Sequence, residues 1–321
     1  MSLLAVRDLT VEYHTDSGIF CAVDGLSFHL DQGRSLGIVG ESGCGKTTAM
    51  LALMRLLPEA GRIVGGDVLF EGTNLLHLSV PELRRYRWQK LSMVFQGAMN
   101  ALNPVRPVGS QIAEAIRWHN TAPRGQIKKE VYRLLDLVGV ARSQSYHYPH
   151  QFSGGMRQRA MIAMALACHP QVMIADEPTT ALDVMVQAQL LDLFQELQAE
   201  LGLAIVMVTH DLGVVAELCD DVMVMYGGSM AEYAGADTMY NQSLHPYTQG
   251  LLSAFPDINQ PQSELFSISG HPPALDNLPT GCRFQPRCEL AEDVCAAEAP
   301  PVVEAAPGHL VSCFRAEVDG P

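Results

Sequence analysis

Residues 40–48 read Gly40-Glu41-Ser42-Gly43-Cys44-Gly45-Lys46-Thr47-Thr48, a G-x-x-x-x-G-K-[ST] pattern. The apolar run Ser35-Leu36-Gly37-Ile38-Val39 precedes it, and Ala49-Met50-Leu51-Ala52-Leu53-Met54 follows. Strand, glycine-rich loop and helix is the context a phosphate-binding loop requires. Gly40, Gly43 and Gly45 permit torsions that gather backbone N–H groups on one concave side. A helix beginning near Lys46 aims its positive end at the same spot. Lys46 adds a point charge for outer phosphates, and the Thr47 hydroxyl is a ligand for Mg²⁺.

The 321 residues allow one large domain or two ordinary ones, and 48% hydrophobic content is enough for a sizeable core. No apolar run reaches the ~18 residues of a membrane helix. The opening Met1-Ser2-Leu3-Leu4-Ala5-Val6-Arg7-Asp8 lacks a cationic start and an apolar signal core, so a cytosolic chain is expected. Net charge is −14, and from Asp257 to Pro321 ten acids face three arginines, which puts half of that charge in the last fifth. No basic face of the size nucleic acid needs is present, and nucleic acid is not an expected partner. The cluster Arg84-Arg85-Tyr86-Arg87-Trp88-Gln89-Lys90 reads as a solvated helix face.

Residues 3–30 suit antiparallel strands at Leu4–Val6, Thr10–Tyr13, Cys21–Val23 and Leu26–Leu30 with a turn at Asp16-Ser17-Gly18, and Asp67–Phe70 joins them. Apolar runs at Ser35–Val39, Leu91–Phe95, Val172–Ala175, Ala204–Thr209 and Val222–Tyr226 predict a buried, mostly parallel sheet. Helical patterns fill 184–201 and 211–218. Between Gln96 and Ser153 two helical periodicities, Ser110–His119 and Gln126–Val138, punctuated by prolines including Pro104, Pro107, Pro123 and Pro149, predict a helical insertion at about 97–165. Beyond Tyr226 the prolines Pro246, Pro256, Pro261, Pro272, Pro273 and Pro279 predict an irregular, acidic appendage.

Val172-Met173-Ile174-Ala175-Asp176-Glu177 is an apolar strand ending in two acids. Asp176 is expected to hold Mg²⁺, and Glu177, one residue further, to polarise an attacking water. Ser153-Gly154-Gly155 opens a helix running through Ala160–Ala167, with Ser153 as a cap and accessible N–H groups behind it. By itself this segment reads as an ordinary capped helix. Beside a phosphate loop it reads as a second anion-binding terminus, one that covers the far side of a triphosphate in a neighbouring chain.

The order of these motifs resembles the ATP-binding cassette (ABC) family over residues 3–235. The loop at 40–47 comes first, then Gln96 after a strand, the signature-like Phe152-Ser153-Gly154-Gly155-Met156, the acidic strand, Thr180-Ala181-Leu182-Asp183, and Thr209-His210-Asp211. The resemblance implies an α/β P-loop NTPase cassette with an antiparallel β-subdomain and a helical subdomain. It implies that ATP lies on Gly40, Ser42, Gly43, Cys44, Gly45, Lys46, Thr47 and Thr48, with Tyr13 stacked on adenine. The same resemblance makes Thr47, Asp176 and Gln96 the Mg²⁺ residues, with Gln96 also sensing the membrane partner. It makes Glu177 the catalytic carboxylate, His210 the switch near the γ-phosphate, and Ser153, Gly154, Gly155 and Asp183 the contacts across a dimer. Phe152 and Met156 depart from the usual signature, Gly97-Ala98 stand where an acid is frequent, and Cys44 stands where serine is common. None of these removes a catalytic group.

Four of eight cysteines cluster late, at Cys282, Cys288, Cys295 and Cys313. Their spacing is not that of common zinc sites, and it leaves zinc, an iron–sulfur cluster and two disulfides open, the last disfavoured in a reducing compartment. His245-Pro246-Tyr247-Thr248-Gln249-Gly250-Leu251-Leu252, the stretch from Leu278 to Cys288, and Gly308-His309 resemble the tail of the dipeptide/oligopeptide/nickel importer ATPases. That likeness implies a [4Fe–4S] cluster on the four cysteines, with zinc as the alternative, stapling a tail at 236–321 onto a nucleotide-binding domain at 1–235. It further implies a homologous ATPase subunit in a homo- or heterodimer, two membrane permeases, an extracytoplasmic substrate-binding protein, and a place at the cytoplasmic face of the membrane. Peptide is the expected cargo. Nickel or another small solute is the alternative, and iron–sulfur assembly a more distant one suggested by the cysteines.

Overall fold

The computed structural model describes residues 2–97, 101–180, 182–254 and 268–316. Ala98, Ala181, Pro256 and Pro261, which figure among the motif and punctuation residues above, lie outside them.

The chain begins with two long strands, β1 (Leu4–Thr15) and β2 (Gly18–Leu30), antiparallel about the turn at 16–17. Four short strands were expected here. Irregularities in register between Val6 and Leu9 and between Leu9 and Val11 interrupt the alternation without ending the ladder, so each pair is one bulged strand. The wholly buried β3 (Ser35–Val39) leads through the phosphate loop into α1 (Lys46–Leu53). Next come β4 (Gly61–Phe70), β5 (Thr73–Asn74) and α2 (Val80–Tyr86), the last opened by a reciprocal Ser79–Glu82 cap. Arg84 and Arg85 are exposed on α2, but the helix stops at Tyr86, so the rest of the basic cluster is not helical.

Then follow β6 (Leu91–Val94), α3 (Val108–His119), α4 (Ile127–Leu137), α5 (Gly154–Ala165), β7 (Val172–Asp176), α6 (Val184–Leu201), β8 (Ala204–Thr209), α7 (Leu212–Leu218) and β9 (Asp221–Tyr226). Asn120 and Gly202, at positive φ, end α3 and α6. After β10 (Ser229–Gly235), the tail holds α8 (Ala236–Asn241), α9 (Pro246–Ser253), α10 (Asp293–Ala297), β11 (Val303–Ala306) and β12 (His309–Val311).

Two compact units result, Met1–Leu30, Ser35–Leu76 and Thr209–Pro321 forming one, Asp31–Arg34 and His77–Val208 the other. The first contains the antiparallel sheet β2-β1-β4-β5 and the strand series β11-β12-β10-β9-β3, in which β3 and β9 are parallel. In the second, β8, β7 and β6 pair in parallel, and α3, α4 and α5 pack on one another, with Ile112, Ile116, Leu134, Leu135 and Ile162 buried. Every residue of β6, β7 and β8 is buried, the pattern of parallel strands covered on both faces.

The appendage is not irregular throughout. Strand β12 pairs with β10, and Tyr247, Phe284, Ala305 and Val311 are buried. Segments of three and four residues are too short to show a period, so the sequence hides them. A buried carboxylate, Glu232, accepts from the backbone N–H groups of Leu244 and His245 at 2.7 and 3.1 Å and meets His309 Nε2 at 2.7 Å. Among the described residues no helix is long and apolar enough to cross a membrane.

Candidate functional site

The phosphate loop belongs to the first unit. Gly45 lies at φ 98° as the residue capping α1, and a Cβ there would stand 2.3 Å from the Ala22 carbonyl oxygen, so only glycine fits. Lys46 is 5% exposed, and its Nζ donates to the carbonyls of Gly40 at 2.6 Å and Glu41 at 3.0 Å. The ammonium is thus drawn back into the concave side of its own loop. Ser42 and Gly43 are exposed at the mouth, and Thr47 and Thr48 are half-buried behind it. Tyr13, on β1, brings its hydroxyl within 3.3 Å of Thr48 Oγ1 and its ring 5.8 Å from that of Phe20. Cys44 is buried against Lys46. Burial pushes its thiol up, against the opposing pull of the ammonium. His210 is exposed between the end of β8 and Asp211, whose carboxylate caps α7 by accepting from Gly213 and Val214.

The acidic strand belongs to the second unit. Asp176, 1% exposed, closes β7. Glu177 follows at φ 46°, a left-handed torsion uncommon for a side-chain-bearing residue, with its N–H fixed to the Val208 carbonyl at 2.8 Å. Its Oε2 accepts from Gln96 Nε2 at 2.7 Å and from Thr180 Oγ1 at 2.9 Å. Gln96 and Glu177, singled out separately in the sequence, are therefore brought together. Thr180, the first residue of the Thr180–Asp183 motif, is an orienting donor. Ser153 caps α5 by accepting from Met156 N–H, and Asp183 caps α6 by accepting from Val186 N–H at 3.0 Å. Gly155 faces Val186, whose Cγ1 would lie 2.6 Å from an added Cβ.

Two further residues of the first unit, Tyr247 and Arg287, bear on the phosphate loop through Glu41 and were given no role from sequence. Glu41 N–H donates to the Tyr247 hydroxyl at 3.0 Å, and the Glu41 carboxylate takes a two-pronged ion pair from Arg287 at 2.6 and 3.1 Å. No local signal marks them, because they are 206 and 246 residues from Glu41 in the chain.

All four late cysteines are free thiols. Cys282 N–H donates to the Cys295 carbonyl at 2.8 Å. Burial first, and neighbouring thiols after it, push Cys282, Cys288 and Cys313 up. Four free thiols have the donor chemistry of a thiolate-held group. Among the described residues, however, no three His, Cys, Asp or Glu side chains are grouped to hold a metal ion, so the expected cluster site is not preformed.

A family model described as "ABC transporter" matches residues 23–180, and one described as "Oligopeptide/dipeptide transporter, C-terminal region" matches 231–295. The chain is 48% identical to the oligopeptide transport ATP-binding protein OppD of Escherichia coli, over 98% of this chain and 93% of that one. It is 44% identical to the dipeptide transport ATP-binding protein DppD of Bacillus subtilis, over 97% and 94%. Among solved structures, the dimeric ATP-binding cassette MJ0796 bound to ADP and Pi superposes with TM-score 0.65 at 26% identity, covering 73% of this chain and 98% of that one. The cassette cbiO1 of Clostridium perfringens does so with TM-score 0.65 at 27% identity, covering 75% and 91%.

Proposed function

The chain belongs to the ABC transporter ATP-binding subunits with an oligopeptide/dipeptide-type C-terminal region, and from that premise we propose how its residues use ATP to drive peptide import through a membrane permease. Two ATPase subunits sandwich two nucleotides, each between one phosphate loop and the Ser153-Gly154-Gly155 terminus of the opposite subunit. Thr47 would offer a hydroxyl, Asp176 a carboxylate and Gln96 its amide oxygen to Mg²⁺, which would supply charge neutralisation at the outer phosphates. Lys46 turns its ammonium from loop carbonyls to phosphate oxygens. Glu177 accepts a proton from the attacking water while Gln96 and Thr180 fix its carboxylate. His210 reports on the γ-phosphate, Asp183 on the opposite subunit, and Tyr13 holds adenine. Hydrolysis breaks the bond to the γ-phosphate, whose charge bridged the halves, and so weakens their attachment. In-line attack with electrostatic stabilisation needs no covalent intermediate.

The observation that carries this reading is the carboxylate of Glu177 held by two donors at the end of a buried strand. The test is Glu177→Gln in the full chain. The variant is expected to bind ATP, lose turnover and accumulate as an ATP-dependent dimer. Full-speed hydrolysis by a permanently monomeric chain would overturn the reading. The assembly comprises residues 1–235 as the nucleotide-binding domain, with its helical subdomain at about 97–165, and 236–321 as the tail, lying on the cytoplasmic face under two permeases supplied by a substrate-binding protein. Uptake of labelled peptide by cells carrying the complex, lost in Glu177→Gln, tests the cargo.

Cys282, Cys288, Cys295 and Cys313 are proposed to hold a [4Fe–4S] cluster, with zinc as the competing occupant; its role is to staple the tail, as four free thiols there support. Anaerobically purified protein should contain iron and acid-labile sulfide in equal amounts, lost in Cys295→Ser. Zinc alone would establish the competitor, and neither metal would end the proposal.

A further inference from the structure

Glu41 is an awkward residue for its position. It is the first residue after Gly40 in a loop that binds a polyanion, and its carboxylate works against that ligand. Every polar group of Glu41 is nevertheless occupied. Its N–H donates to Tyr247 Oη at 3.0 Å, and its carbonyl accepts from Lys46 at 3.0 Å. Its two carboxylate oxygens accept from Nη1 and Nη2 of Arg287 at 2.6 and 3.1 Å.

Arg287 is itself held. An arginine has five N–H donors, and in addition to Glu41 the guanidinium reaches the Ser269 carbonyl at 2.9 Å, the Ile268 carbonyl at 3.4 Å and the Tyr226 hydroxyl at 3.3 Å. Its side chain is 5% exposed and that of Glu41 30%, so solvent screens the pair incompletely. Tyr226 packs edge-on against Tyr247 at 4.6 Å and against Phe284 at 5.2 Å. One aromatic cluster thus backs both groups that grip Glu41.

We infer that Arg287 is a positioning residue for nucleotide binding: it neutralises the Glu41 carboxylate and fixes the start of the phosphate loop, so that the tail completes the ATP site from behind. The inference rests on the phosphate loop binding ATP, as proposed above. Lysine is no substitute, since a point charge lacks the fork that takes both oxygens.

The test measures ATP affinity and steady-state hydrolysis of the full chain and its variants. Arg287→Ala, which leaves the Glu41 charge uncompensated, is expected to weaken ATP binding on the order of tenfold. The kcat at saturating ATP should stay within about threefold, because no group that contacts the reacting atoms is altered. Glu41→Gln in the Arg287→Ala background should recover affinity to within about threefold of the parent. A merely structural role in the tail would not be rescued by neutralising a loop residue. Arg287→Lys should fall between, and it carries the comparison with Glu41→Gln if the alanine variant does not fold. Unchanged affinity in Arg287→Ala, or no rescue by Glu41→Gln, overturns the inference. A parent chain that binds no ATP overturns the proposed function instead.

Discussion

Gln96 Nε2 lies 2.7 Å from Glu177 Oε2. The two residues come from the ends of neighbouring parallel strands, β6 and β7, registered so that Val94 faces Ala175. Adjacent parallel strands end at one level, so a residue just past each end faces the same space. The left-handed torsion of Glu177 turns the carboxylate toward Gln96, and the Thr180 hydroxyl holds it there.

Thr180→Val keeps the side-chain shape and removes the donor. The expected result is a fall in kcat of about tenfold with KM for ATP unchanged, the pattern of a weakened general base. Equal losses in KM would show that Thr180 serves binding instead. Glu177→Gln should lower kcat by about two orders of magnitude or more.

Cys44 is buried, and its thiol is raised from 9.0 by that burial. A raised value leaves less thiolate at neutral pH, so iodoacetamide should label Cys44 slowly at pH 7. Labelling should accelerate about tenfold per pH unit on the way up, because the thiolate is the nucleophile. Bound ATP should protect it, and the modified protein should lose hydrolysis. Mass spectrometry of the peptide carrying Cys44 measures both effects. Labelling at pH 7 as fast as a free thiol, or full activity after stoichiometric labelling, would contradict this account.

Gly155→Ala brings a methyl group to within 2.6 Å of Val186 Cγ1. Overpacking of this kind costs about 1–3 kcal/mol and displaces the start of α5 from the start of α6. Val186→Ala in the same chain should restore most of the loss, as read from denaturant midpoints. Failure of the second change to restore stability would mean that the first acts elsewhere.

Glu232 is fully buried and bound to His309 and to two backbone N–H groups. Glu232→Ala leaves all three without their acceptor and should cost about 3–5 kcal/mol. The tail should then become the first target of limited proteolysis. A variant with parental stability and parental cleavage would show that the tail is held by its apolar contacts alone.

Much of the cassette is legible in the sequence. The runs at Ser35–Val39, Val172–Ala175, Ala204–Thr209 and Val222–Tyr226 are continuous because both faces of a parallel sheet are covered, and continuity is visible in one dimension. Helix α6 matched its predicted span because a cap at Asp183 and a glycine at Gly202 bracket it. The strands β11 and β12, of four and three residues, leave no periodic signal, because pairing with a partner rather than their own pattern makes them strands.

Sequence alone determined the chemistry of each motif: a glycine loop with Lys46, an acidic strand end at Asp176 and Glu177, a capped helix behind Ser153. Those properties depend on residues within one turn or one strand of each other, where spacing along the chain is spacing in space. Only the tertiary structure decided that Gln96 reaches the carboxylate of Glu177, and that a tail arginine closes on Glu41. Such pairs join residues far apart in the chain, and their meeting depends on strand register and packing that no local pattern encodes.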